Sequence, residues 1–320
     1  MFLNNFYGDL GNRYIKTIDP NGAVIKRAAA IKQIKAYEDE IKGTEESPII
    51  SFMIGGKSVT YMIGDKAQGR KGQSNLHSHD KMLQALPFLL GALPAHPQLE
   101  IERLMLAVPD SRFKPHQLML QELVGTHFYT RNGKKQSVTI RSVKLVDEIK
   151  AAYLYGVRNG LFALPDQKNA VYSAGGGDFC AAVIENGEII REHTLVIKRG
   201  VVELANLIAA EKKDQQQSNL DPIEIMNLIA RQPDEDGRYI TNHGVDFTDV
   251  IDPCVSQWIA ELMGDVKIAW REELKDVRQT LIVGGGATHF SAYRAGMKVK
   301  AKCIIAPQAQ EAIVLGLKYA

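Results

Sequence analysis

The chain has 320 residues, 45% hydrophobic and 24% charged, enough to bury a large core and to build two or more domains. Its 39 basic and 37 acidic residues leave a formal charge of +2, which argues against recognition of a polyanion by bulk charge, so no direct nucleic-acid contact is expected. No stretch approaches the ~20 apolar residues that cross a bilayer, no basic flank with a long apolar run opens the chain, and Cys180, Cys254 and Cys303 stand apart among apolar neighbours; the expectation is a cytoplasmic protein with reduced core thiols and no membrane contact.

In chain order, Phe2 to Asp9 is predicted as a strand leading into Leu10-Gly11-Asn12-Arg13. A second strand follows at Tyr14 to Ile18, then the turn Asp19-Pro20-Asn21-Gly22 and a third at Ala23 to Ile25. A hairpin is expected from Ile49 to Met62 around Gly55-Gly56, then a polar, glycine-rich connection from Gly69 to Ser74 and a helix over about Lys81 to Leu93. Leu104 to Val108 has the composition of a short buried strand ended by Pro109, and a helix begins after Pro115. Ser137 to Val143 is predicted as a strand and Val146 to Gly156 as a helix.

Near mid-chain the opening pattern repeats. Ala170 to Ser173, the turn Ala174-Gly175-Gly176-Gly177-Asp178, Phe179 to Glu185, Asn186-Gly187, and Glu188 to Ile190 form a second meander with the layout of the first, as a duplicated domain would leave behind. Helices are expected over Val201 to Ala210, Pro222 to Ala230 and Phe247 to Met263, with Glu211 to Asn219 as an exposed polar loop. A buried strand at Thr280 to Val283, the triplet Gly284-Gly285-Gly286, a short helix and a closing helix over about Gln308 to Lys318 end the chain.

The chemistry concentrates in the glycine turns. A phosphate chain is met by backbone N–H groups, and glycine lets the main chain approach it. In the first turn Asp9 ends a buried strand beside Gly11 and Asn12, and Lys16, seven residues on, returns over the turn where its ammonium can meet a phosphate oxygen. Taken singly, each turn is also compatible with a plain hairpin or loop. His77 and His79 are compatible with metal ligation but fit a polar helix start better, with Asp80 as the helix cap, and Lys298, Lys300 and Lys302 alternate as on a solvated strand face or a filament contact.

Together, in this order, the motifs resemble those of the actin, Hsp70 and sugar-kinase superfamily. Asp9 to Asn12 with Lys16 resembles its first phosphate motif, Val171 to Asp178 its second, and Leu281 to Ala287 its adenosine motif. Glu148 to Gly156 and Gln310 to Gly316 are similar to its two connecting helices. Lys16 is similar to the actins within that superfamily, and the chain's size and its closing Gly-Leu-Lys-Tyr-Ala look most like the bacterial plasmid-segregation actins, the ParM-like proteins.

The resemblance implies an α/β, actin-like fold of two duplicated βββαβαβα domains with an interdomain nucleotide cleft. Residues 1–157 and 306–320 would form one half, with a small subdomain over about 25–75; residues 158–305 would form the other, with a helical subdomain over about 200–275. It further implies ATP (or GTP) and Mg²⁺ as cofactors, self-assembly into filaments, and a separate DNA-binding adaptor. Asp9 would hold Mg²⁺ through water, and Gly11, Asn12, Arg13 and Lys16 with Ser173, Gly175, Gly176, Gly177 and Asp178 would bind phosphate. Gly284, Gly285, Gly286 and Ala287 would contact adenosine, and Glu148 would orient the attacking water. Ser173 stands where the superfamily usually has Asp, which implies weaker metal binding and slower hydrolysis. A nucleotide-binding scaffold or regulator without turnover, and a small-metabolite kinase with Asp110 as base, stay open beside the filament reading.

Overall fold

The computed structural model describes residues 1–35, 41–67, 73–75, 85–213, 222–231, 233–291 and 302–320. His77, His79, Asp80, Lys298, Lys300 and residues 214–219 of the polar stretch lie outside them. The chain divides into two compact units, Met1–Tyr155 with Ile313–Ala320, and Gly156–Ala312.

The first unit is built on a ten-stranded sheet. Strands β1 (Phe2–Leu10), β2 (Tyr14–Ile18) and β3 (Val24–Ala28) form the opening meander, and β8 (Gln98–Val108) and β10 (Lys134–Asp147) continue the sheet in the order β3-β2-β1-β8-β10. β1 runs antiparallel to β2 and parallel to β8, which is parallel to β10. Beyond β10 the sheet extends through β9 (Gly125–Arg131), β5 (Ile49–Ile54), β6 (Lys57–Ile63), β4 (Ala30–Gln33) and β7 (Gln73–Asn75).

The helices of this unit are α1 (Ala85–Ala92), α2 (Lys114–Gln121) and α3 (Glu148–Arg158), whose last residues pass into the second unit. Arg131 of β9 is buried and donates to the carbonyl oxygens of Gly91 at 3.1 Å and Leu93 at 2.9 Å. It thereby satisfies groups that a helix end leaves without partners, and ties α1 to the sheet.

The second unit repeats the design. β11 (Asn169–Ala174), β12 (Phe179–Glu185), β13 (Glu188–Ile197), β14 (Gln279–Val283) and β15 (Lys302–Ile305) lie in the order β13-β12-β11-β14-β15. β11 is antiparallel to β12 and parallel to β14, which is parallel to β15. The order and the senses match those of the first five-strand set, so the duplication suggested by the two meanders is present in the topology. β11 and β14 are buried along their whole length, as a central strand covered on both faces must be. On one face Ala170, Tyr172 and Phe179 pack with α4 (Val201–Lys213), α5 (Pro222–Ile229) and α6 (Thr248–Trp270) around Trp258 and Trp270.

Several boundaries differ from expectation; β8 starts at Gln98 rather than Leu104 and β13 runs to Ile197 rather than Ile190. β10 runs through Asp147 because its ladder with β8 continues to the Asp147–Val108 pair, so α3 begins at Glu148 rather than Val146. α6 extends to Trp270, past Met263, because Val266 and Trp270 join the same buried stripe. The closing helix α7 (Ala312–Gly316) begins four residues later than expected: the N–H of Gly284 donates to Ala309 O at 2.7 Å, and residues 307–311 are drawn into a turn.

Among the described residues no helix is long and apolar enough to cross a membrane.

Candidate functional site

In the first unit the site is built at the carboxyl ends of three adjacent parallel strands. Asp9 lies beside Ala107 of β8, and Asp147 beside Val108, so β1, β8 and β10 end at the same edge. Two strand spacings separate Asp9 from Asp147, about 10 Å.

Asp9 and Lys16 are register partners in the β1–β2 ladder, both buried, and Lys16 Nζ donates to Asp9 Oδ2 at 2.6 Å. A Cβ at Gly11 would lie 2.8 Å from Tyr14 O and 3.6 Å from both Asp9 Oδ1 and Lys16 Nζ, so a side chain here would clash with the main chain of the turn and press against the ion pair. Asn12 has no side-chain partner among the described residues, while Arg13 holds its guanidinium 5.1 Å from the Tyr14 ring centroid.

Glu148, partly buried, is the first residue of α3, where a carboxylate is favoured by the helix dipole. Asp147 accepts from Ser111 N at 2.8 Å and Ser111 Oγ at 3.1 Å, which fixes its carboxylate at the sheet edge. Its position was missed because residue 146 reads as a helix start; the signal is the run Leu145-Val146-Asp147, an acid closing an apolar strand as Asp9 closes β1.

In the second unit Ser173, the glycine turn and the glycine triplet come together. Ser173, buried, sits opposite Cys180 and beside Val283, and its hydroxyl has no partner among the described residues. The turn closes with Gly175 N donating to Asp178 O at 2.9 Å. Its carbonyl oxygens face the start of α4: Gly200 N donates to Gly177 O at 3.0 Å, Val201 N to Gly175 O at 3.0 Å, and Val202 N to Gly176 O at 2.9 Å. These bonds occupy the otherwise orphaned first donors of the helix. The N–H groups of Gly176 and Gly177 have no partner among the described residues.

Gly284, at φ 94°, would place a Cβ 2.4 Å from Ala174 O, the carbonyl just before the turn, and Gly286 N donates to that same oxygen at 2.9 Å. Gly286 also packs against Val201, where its Cβ would meet Cγ2 at 2.8 Å, while Gly285 is exposed, its Cβ position 3.7 Å from Gln310 Nε2. Ala287 is buried and begins a 3-10 turn to His289. A residue not anticipated completes this cluster: a Cβ at Gly200 would lie 2.4 Å from Gly176 O, so the helix start and the turn are in backbone-to-backbone contact.

Among the described residues no group of three or more His, Cys, Asp or Glu side chains could hold a metal ion by itself. Asp9 has one carboxylate oxygen committed to Lys16, which suits a cation that takes a single protein carboxylate, retains water and is otherwise held by phosphate, as Mg²⁺ does.

Residues 8–148 match the family model described as "Actin like proteins N terminal domain", and residues 177–292 the one described as "Archaeal actin homologue MreB-like, C-terminal". A search of curated proteins finds no matching sequence. Among solved structures, the archaeal actin homolog Ta0583 in complex with ADP is 16% identical with a TM-score of 0.77, over 99% of each chain. The actin-like protein Alp7A is 14% identical with a TM-score of 0.78, over 99% of this chain and 95% of that one. A ParM from Clostridium botulinum, solved as a 15-stranded filament, is 16% identical with a TM-score of 0.74, over 100% of this chain and 99% of that one. With one strand order in both sheets, a family match in each half and superposition along its whole length, the chain is an actin-like protein, of the fold shared with the plasmid-segregation actins.

Proposed function

We propose that the chain binds ATP or GTP with Mg²⁺, hydrolyses it slowly, and assembles with copies of itself into filaments in the cytoplasm. The observation that carries this reading is the buried Asp9–Lys16 pair beside Gly11, a turn position with no room for a side chain. A bound triphosphate gives Lys16 an anionic oxygen to meet and gives Asp9 a cation to hold through water. The unpaired N–H groups of Gly176 and Gly177 offer a second set of phosphate donors, and Gly284 to Ala287 an adenosine-facing turn.

In this reading Glu148 orients the attacking water and the metal supplies charge neutralisation at the phosphates. Support for assembly comes from the likeness to the Clostridium botulinum ParM filament, and support for a nucleotide from the ADP complex of Ta0583. A role in DNA segregation through an adaptor extends that likeness further.

The test is sedimentation with Mg²⁺ and ATP, GTP, ADP or no nucleotide, with negative-stain imaging of pellets and phosphate release in parallel. Nucleotide-dependent filaments and a release rate lowered by Glu148→Ala are expected. Nucleotide binding without pelleting over a wide concentration range would sink the assembly reading. A scaffold or regulator without turnover is the second reading, favoured by Ser173, whose hydroxyl brings no charge. The kinase reading loses ground because Asp110 is engaged locally, accepting from Arg112 N at 2.9 Å and Arg112 Nε at 3.3 Å.

A further inference from the structure

At its amino end the central strand β1 has a neighbour on one side only. It pairs with β8 from Phe2 to Asp9, but β2 covers its other side only from Gly8 to Leu10. β2 ends at Ile18, and the chain turns away at Asp19, whose Oδ1 accepts from Ala23 N at 2.8 Å. Residues 3–7 therefore present alternate main-chain N–H and C=O groups toward the β2 side, with no backbone partner there among the described residues.

A groove of about 340 Å³ follows this edge, lined by Leu3, Tyr7 and the exposed Asn4 and Asn5, with Phe6 and Ile18 buried at its base, and by Asp19 and Lys318. Lys318 Nζ makes one long contact, to Gly22 O at 3.4 Å, and has no carboxylate partner among the described residues. An open edge this deep in a sheet is a template for a strand, and its recess keeps flat edge-to-edge association away.

We propose that this groove binds an extended peptide segment of a partner protein, which adds as a strand beside residues 3–7 and sets an acidic side chain against Lys318. Main-chain pairing supplies affinity over five residues, a span of roughly 17 Å. Alternate side chains face the mixed lining of Leu3, Tyr7, Asn4 and Asn5, and the Lys318 ammonium selects an acidic residue. The proposal does not depend on nucleotide binding.

The experiment begins with amide exchange on the free chain. Within residues 3–7, the amides facing the β2 side are expected to exchange at least about tenfold faster than their neighbours bonded to β8. A fluorescent heptapeptide alternating valine and threonine around a central glutamate, capped at both ends, is then titrated in. Saturable binding that protects those fast amides is expected, with affinity about fivefold lower for Lys318→Glu and lost when alternate peptide amides are N-methylated. Absence of binding at millimolar peptide, equal binding of the N-methylated peptide, or protection elsewhere in the chain overturns the proposal. So does concentration-dependent protection of the edge in the chain alone, which would assign the groove to a second copy.

Discussion

Lys16 stands directly across the β1–β2 ladder from Asp9 and donates to it at 2.6 Å, so one pair of residues is at once a rung of the sheet and a buried ion pair. Removing either partner alone leaves an uncompensated charge in the site. Lys16→Ala is expected to lower unfolding stability by about 3 kcal/mol, and the double variant Lys16→Met with Asp9→Asn to recover most of it. Urea unfolding of the three proteins measures this. A Lys16→Ala curve superimposed on that of the parent would mean that Asp9 reaches solvent. Nucleotide affinity should fall in both variants, whatever their stability, because the Lys16 ammonium is gone from each.

Gly200 has no room for a side chain: its Cβ would lie 2.4 Å from Gly176 O and 2.6 Å from the carbonyl carbon of Gly177. Neither contact is with a flexible side chain, so Gly200→Ala must push the turn away from α4. A cost of about 1–3 kcal/mol is expected, together with weaker nucleotide binding from displacement of the Gly176 and Gly177 donors. Gly187→Ala, at a hairpin turn with nothing within 4 Å, serves as the control for a glycine whose requirement is conformational alone. Equal nucleotide affinity in Gly200→Ala and the parent protein would detach the turn from the site.

The two meanders were legible because their turns are punctuated locally, by Asp19-Pro20-Asn21-Gly22 and by Asn186-Gly187, where both central residues take positive φ. β9 was not, although Asn132-Gly133 with φ of 50° and 79° marks its hairpin to β10 equally well. Its residues, Gly-Thr-His-Phe-Tyr-Thr-Arg, carry no apolar alternation, because the buried positions include Arg131, whose burial is made tolerable by the carbonyl groups at the end of α1. Gly200 and Asp147 escaped for a related reason. Each owes its place to a partner distant in sequence, Gly176 for one and Val108 for the other, and nothing in the local sequence announces that contact.

Arg271 closes α6 at φ 33° and ψ −98°, a conformation that a residue with a Cβ adopts at a cost. Arg271→Gly removes that strain, and the glycine's greater freedom in the unfolded chain offsets only part of the gain. A net stabilisation of roughly 0.5–1 kcal/mol is expected, read as a higher urea midpoint with unchanged slope. A lower midpoint would show that the arginine side chain contributes more than the strain costs.

His289 lies at the end of the 3-10 turn that follows the glycine triplet, its ring edge-on to Trp258 at 6.4 Å between centroids. Burial lowers its imidazole from the ordinary 6.5 to about 4, so the folded chain holds it neutral across the physiological range. The unfolded chain takes up the proton near pH 6.5 and the folded chain only near pH 4. Stability is therefore fully present above pH 6.5, is lost as pH falls from there toward 4, and levels off below, with a total loss on the order of 3 kcal/mol. His289→Gln should remove this component of the slope in urea midpoints between pH 7 and 4 while leaving the part due to carboxylates. An unchanged slope would place the proton uptake elsewhere. The same neutrality bears on the site, since a ring that stays uncharged beside Ala287 adds no cation to the phosphate-binding groups, and nucleotide affinity should not follow its titration between pH 8 and 6.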